Sequence, residues 1–150
     1  FKLTLPYIGT LYKKLYLSRI SDNMNTMLIS GIPMMRSLEI TADVVDNAIY
    51  SDLLHESLEA VKAGTAVSEA LSRYEEIPSI MIQMIKVGEE TGQLGNILKT
   101  MSKFYRREVT NAVDTLVDLI EPVMIVTLGV GVGVLLASVL VPIYNLSSSF

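Results

Sequence analysis

Cysteine is absent from this 150-residue chain, and histidine occurs once, as His55. The first absence removes disulfide frameworks and thiolate chemistry, and nothing in the sequence then demands an oxidising compartment. The second removes zinc chemistry, since a zinc site wants three or four Cys, His or carboxylate ligands, and His55-Glu56 has no second histidine for an HExxH pattern. Basic clusters are missing too. The net charge of -4 argues against a nucleic-acid partner, which would select a basic face. No stretch shows the strict apolar/polar alternation of a half-buried strand, so the chain reads as all-α. The most telling absence is of charge. From Pro122 to Phe150 there is no ionisable side chain except that of Tyr144, and Val123 to Ile143 is almost continuously apolar. As a helix that run would reach roughly 31 Å, close to the hydrocarbon thickness of a bilayer.

What is present is helical periodicity in the first four-fifths of the chain. A first helix is expected from about Thr10 to Ser30, with Leu11, Leu15, Ile20, Met24, Met27 and Leu28 on one side. Gly31 ends it and Pro33 opens the next, with Met34, Leu38, Thr41 and Val45 as its apolar side. Asp46 or Asn47 caps a third helix carrying Ile49, Tyr50, Leu53, Leu54, Leu58 and Val61, which Gly64 stops. Thr65 is expected to cap a short fourth helix on Val67, Ala70 and Leu71. Pro78 opens a fifth through Ile80, Met81, Met84, Ile85 and Val87, and the Gly88 to Gly95 stretch is the next break. The last stripe, Leu94, Ile97, Leu98, Met101, Tyr105, Val109, Ala112, Val113, Leu116 and Ile120, leads into the apolar run. Short turns between these elements favour antiparallel neighbours. The expected organisation is a linker or membrane-exit segment at 1–9, a six-helix antiparallel bundle at 10–120, a transmembrane helix at 121–145 and a short polar tail at 146–150. Lys103, Arg106 and Arg107 precede the span and no Lys or Arg follows it, which by the positive-inside bias places the bundle in the cytoplasm.

Candidate chemistry is sparse. GEETGQLG, Gly88 to Gly95, is glycine-rich but has no Lys-Ser/Thr and follows a helix, so it is not a phosphate loop. Glu89 and Glu90 remain open to several roles: solvated helix-end acids, oxygen donors to a divalent cation, partner recognition, or an ion pair with Lys86, Lys99 or Arg106. No cofactor is expected. Within the span, Gly129, Gly133 and Ala137 recur every four residues and offer a small-residue face for close helix packing. Glu121 holds the last charge before it, and Pro122 removes one backbone donor, which favours a break or kink there.

Several motifs in this order carry a resemblance: the SGIP turn of Gly31 and Pro33 with Leu38 and Ala42, Asn47 after paired valines, Gly64 with a short helix to Pro78, VGEETGQL from Val87 through Gly88, Glu89 and Gly92 to Leu94, and Ile120-Glu121-Pro122 before the apolar tail. Together they resemble the type II secretion system F-domain family, inner-membrane platform proteins of type II secretion and type IV pilus machines. The resemblance implies a six-helix cytoplasmic bundle that is usually present twice, with three membrane helices in the whole protein. This chain looks like the second copy, with Phe1 to Tyr7 leaving a preceding membrane helix. It further implies a non-enzyme in the bacterial inner membrane, its carboxyl end on the periplasmic side. The implied partners are a hexameric ATPase, pilins or pseudopilins, other components of the machine and further copies of itself. A different class of reading is a membrane-anchored signalling or adaptor bundle, related to a kinase dimerisation domain with His55 as phosphoacceptor; it requires phosphotransfer at that residue.

Overall fold

A computed structural model describes residues 6–149, so the expected exit segment Phe1 to Tyr7 falls largely outside the described residues, as does Phe150. Six α-helices follow one another: α1 (Pro6–Ile29), α2 (Met34–Val44), α3 (Ala48–Lys62), α4 (Val67–Leu71), α5 (Ser79–Thr91) and α6 (Leu94–Ser147). No strand occurs among the described residues. The chain divides into two units, the first ending at Thr110 and the second beginning at Asn111.

The first unit is the bundle, and its turns follow from particular residues. Gly31 adopts φ 86°, a left-handed conformation that costs a side-chain-bearing residue energy, and this lets the Ile32 N–H reach back to the Met27 carbonyl at 3.0 Å. Pro33 stands one residue outside α2 as its N-cap, not within the first turn, with its carbonyl accepting from the Ser37 N–H at 2.9 Å. Asn47 is the side-chain cap of α3, its Oδ1 accepting from the Tyr50 N–H at 3.2 Å, while the neighbouring Asp46 turns the chain with φ 51°. Gly64, at φ 104°, closes α3.

Three expectations need correction. The first helix starts at Pro6, earlier than Thr10, because proline is tolerated in a first turn, where N–H groups have no helical acceptor. The fourth helix is not capped by Thr65: its N-cap is Ala66, which has no side-chain oxygen to offer. The break between α5 and α6 is only Gly92 and Gln93, so Gly88 belongs to α5 and Gly95 to α6. The connections are short, apart from residues 72–78, where Ile77 is buried and Tyr74 donates its hydroxyl proton to Glu56 Oε2 at 2.8 Å.

The core is one cluster drawn from every helix. Leu17, Ile20 and Met24 of α1 meet Leu38 and Ala42 of α2, Tyr50, Leu53, Leu54 and Leu58 of α3, Val67 and Leu71 of α4, Met81 and Ile85 of α5, and Leu98, Met101 and Tyr105 of α6. Each fully buried leucine or isoleucine here contributes roughly 1.5–3 kcal/mol relative to exposure. Some expected stripe positions face out instead: Ile49, Ile80 and Val87 are exposed, and along α6 burial ends at Tyr105, with Val113 and Ile120 exposed. In the second unit the apolar run of α6 is uncovered by any other described residue, and α6 is the one described helix long and apolar enough to cross a membrane.

Candidate functional site

The VGEETGQL segment is where three helices are tied together. Glu89 lies on α5, two turns or more after Met81, and points across to the start of α4. Its Oε1 accepts from the Val67 N–H at 2.6 Å, and its Oε2 accepts from the Ser68 N–H at 3.3 Å and the Ser68 hydroxyl at 2.6 Å. The first N–H groups of a helix have no acceptor within it, and a carboxylate suits the positive end of the helix dipole. Glu89 therefore supplies from another helix the cap that Ala66 cannot. None of the basic residues weighed for it takes part: Arg106 stands 3.6 Å from Asp22 instead. Glu90, the neighbouring acid, is exposed. The described residues bring no three His, Cys, Asp or Glu side chains together at metal-binding distance.

The same segment fixes α5 against α6. Gly92 has φ 69° and caps α5 in the left-handed conformation, and the Gln93 N–H returns to the Gly88 carbonyl at 3.0 Å. Gly88 is a glycine for a different reason. A Cβ there would lie 2.9 Å from the Leu94 Cα and 3.0 Å from its Cδ1, so the start of α6 passes over a place where no side chain fits. Leu94 in turn packs on the core, and Gly95 lies against Leu28 and Ile29 of α1. Val67, Ser68, Gly88, Glu89, Gly92 and Leu94 thus form one junction of α4, α5 and α6.

In the second unit Glu121 and Pro122 lie inside α6, whose helical assignment runs through Pro122 and Pro142. A Cβ added at Gly129 or Gly133 would meet nothing within 4 Å, so this face has room for a close helical neighbour. Ala137 lies on the same exposed face.

Residues 20–142, from the middle of α1 into the apolar run, match the family described as "Type II secretion system (T2SS), protein F". The chain belongs to the type II secretion system protein F family. Among curated relatives it is 32% identical to the Type IV pilus assembly protein PilC of Thermus thermophilus, over 97% of this chain and 36% of that protein. The PilC of Myxococcus xanthus is 32% identical over 98% of this chain and 35% of its own length. The Type II secretion system protein F of Xanthomonas campestris pv. campestris is 30% identical over 95% of this chain and 35% of its own. The chain therefore spans about a third of the length of these relatives.

The protein F family match covers Gly31, Pro33, Gly64 and the α4–α5–α6 junction, and it extends beyond Glu121 and Pro122 to include Gly129, Gly133 and Ala137. His55, which carries the signalling alternative, sits half-exposed on α3 with its Nε2 3.1 Å from Asp43 Oδ1. A surface imidazole beside a carboxylate of the preceding helix is an ordinary pair. Two features escaped the sequence reading. Ser68 as the partner of Glu89 had no signal beyond a hydroxyl near a helix start. The polar stripe of α1, Ser18, Ser21, Asp22 and Asn25, had one in its helical spacing, but lay beside apolar residues that drew the helix assignment.

Proposed function

We propose that this chain is the bundle-and-anchor part of a non-enzymatic inner-membrane platform protein, which couples a cytoplasmic ATPase to the assembly of pilin or pseudopilin subunits. The observation that carries this reading is the family match, which spans both the bundle and the start of the apolar run. The names of the relatives place them in pilus assembly and in type II secretion. The bundle lies on the cytoplasmic side, because Lys103, Arg106 and Arg107 precede the apolar run and none follows, and the carboxyl end is periplasmic. The span is 121–145, and its Gly129, Gly133 and Ala137 face packs on another membrane helix, from a further copy of the protein, a pilin or another machine component.

The coupling element is α6, which contributes side chains to the core and also supplies the apolar run. The α4–α5–α6 junction stiffens its beginning, so a push on the bundle is felt along the helix. Insertion of a short run of glycines near Asp118 of the full-length protein tests this. The expected result is loss of filament assembly or secretion with bundle folding and membrane insertion intact; normal assembly would refute the coupling role of the helix.

A further inference from the structure

One interface of the bundle breaks the rule that buried polar groups are bonded. On α1, Ser18, Ser21, Asp22 and Asn25 recur at the three- and four-residue spacing of one helix face, among the core residues Leu17, Ile20 and Met24. Ser18 and Ser21 are buried, and so is Asn25 Oδ1. This face meets α6 in antiparallel order, Lys14 to Glu108 at 2.9 Å, Ser18 to Ser102, and Leu28 and Ile29 to Gly95. Its inner bonds are long. Ser18 Oγ donates to the Ser102 carbonyl at 3.5 Å, Ser102 Oγ donates to Asp22 Oδ1 at 3.3 Å, and Arg106 stands 3.6 Å from the same oxygen. Ser21 Oγ, Asn25 Oδ1 and, one turn from Ser102, Tyr105 Oη find no hydrogen-bond partner among the described residues. The other such atom is Ser57 Oγ on α3. On α2 the buried hydroxyls both find acceptors, Thr41 Oγ1 donating to the Ser37 carbonyl at 2.7 Å and Ser37 Oγ to the Ile32 carbonyl at 3.4 Å.

Weak bonds and orphaned polar atoms lower the cost of parting two surfaces, because water satisfies on opening what the closed seam leaves unpaired. We propose that the α1–α6 seam is an opening joint: Leu17 to Asn25 of α1 and Leu98 to Arg106 of α6 part and open their helical hydrogen bonds locally, while α2, α3, α4, α5 and the junction that holds Leu94 stay packed. Its use as the compliant part of a coupling element rests on the function proposed above; the joint itself does not.

Hydrogen exchange on the full-length protein in lipid nanodiscs tests both. Amides of Leu17 to Asn25 and of Leu98 to Arg106 should exchange about tenfold or more faster than those of Leu53 to Leu58. Ser21→Ala and, separately, Asn25→Leu remove an orphaned atom each, and either should slow exchange in α1 and α6 several-fold while leaving α3 unchanged. Ser21→Ala only deletes an oxygen, so it serves if Asn25→Leu packs badly. Equal protection of α1 and α3 in the unmodified protein would overturn the joint, as would exchange in α1 and α6 that Ser21→Ala does not slow. Slowed exchange with undiminished filament assembly would support the joint and refute its part in coupling.

Discussion

Replacing Glu89 with alanine separates a cap from a solvated acid. In the folded chain the carboxylate accepts three hydrogen bonds, two from backbone N–H groups at 2.6 and 3.3 Å and one from a hydroxyl at 2.6 Å. Val67 and Ser68 are themselves buried, at 4% and 6% exposure, so water does not readily take over the donors that alanine would leave behind. Loss of a helix N-cap costs about 1 kcal/mol, and leaving a buried donor unmet at a charge-assisted bond costs about 1.5–3 kcal/mol more. These contributions share atoms and do not add fully, so Glu89→Ala should lower unfolding free energy by about 3 kcal/mol, a large part of the 5–15 kcal/mol typical of a domain. Glu89→Gln keeps one acceptor but turns an amide N–H₂ towards another donor, and should cost about 2 kcal/mol. Ser68→Ala, which spares the backbone bonds, should cost about 1 kcal/mol. Denaturant unfolding followed by helical circular dichroism gives these numbers, and exchange at the Val67 and Ser68 amides localises them. A Glu89→Ala protein within about 0.5 kcal/mol of the original would refute the cap and restore the reading of Glu89 as a solvated helix-end acid.

Gly88→Ala forces a methyl to within 2.9 Å of the Leu94 Cα, and should destabilise by about 1–3 kcal/mol in a thermal melt. Gly95→Ala is its control, because that Cβ would lie 3.5 Å from Ile29 Cγ1 in ordinary contact, and the melt should barely move. Burial pushes the Tyr50 and Tyr105 phenols up to about 12, with the neighbouring Glu76 adding to the shift at Tyr50 and Glu108 at Tyr105. An acid whose folded value is raised stabilises the fold fully below its unfolded value, so bundle stability should hold to about pH 10 and fall as pH rises towards 12, by roughly 2–3 kcal/mol for each tyrosine. Tyrosinate absorbance against pH should show Tyr50 and Tyr105 titrating late and becoming normal on unfolding. Gly133→Asp should abolish filament assembly while membrane insertion survives, read by fractionation and by filament counts; assembly at normal levels would remove the small-residue face from the mechanism.

The helices were legible because their signals are local. Gly31 and Gly64 sit at positive φ, Asn47 puts its side chain on the Tyr50 N–H, and Leu38, Leu54, Met81 and Leu98 return to the core at helical spacing. Local signals fail where a partner is distant in sequence. Thr65 has the chemistry of a cap and the right neighbourhood, yet the work falls to Glu89, 22 residues from Val67. Gly88 has the look of a helix breaker, but its reason is a contact with Leu94 that only the tertiary fold creates. Ile49, Ile80 and Val87 fit apolar stripes by spacing and lie outside the core, since a stripe locates a face only to within about one residue's turn.

The site itself was half legible for the same reason. The glycines and acids of VGEETGQL stand out in the sequence, while the role of Glu89 depends on α4 starting opposite α5. That dependence constrains the spacing of the segment. A glutamate needed as a surface acid or a cation ligand would be free to sit anywhere on the helix end, but a glutamate that caps α4 must keep its separation from Gly88, which admits α6, and from Gly92, which ends α5. The spacing of Gly-Glu-x-x-Gly is then a geometric requirement of one junction: Gly88 sets how closely α6 approaches, Glu89 holds α4, and Gly92 with Gln93 turns the chain so that Leu94 covers Gly88. Moving any one of the three by a residue would rotate it about 100° around α5 and away from its partner.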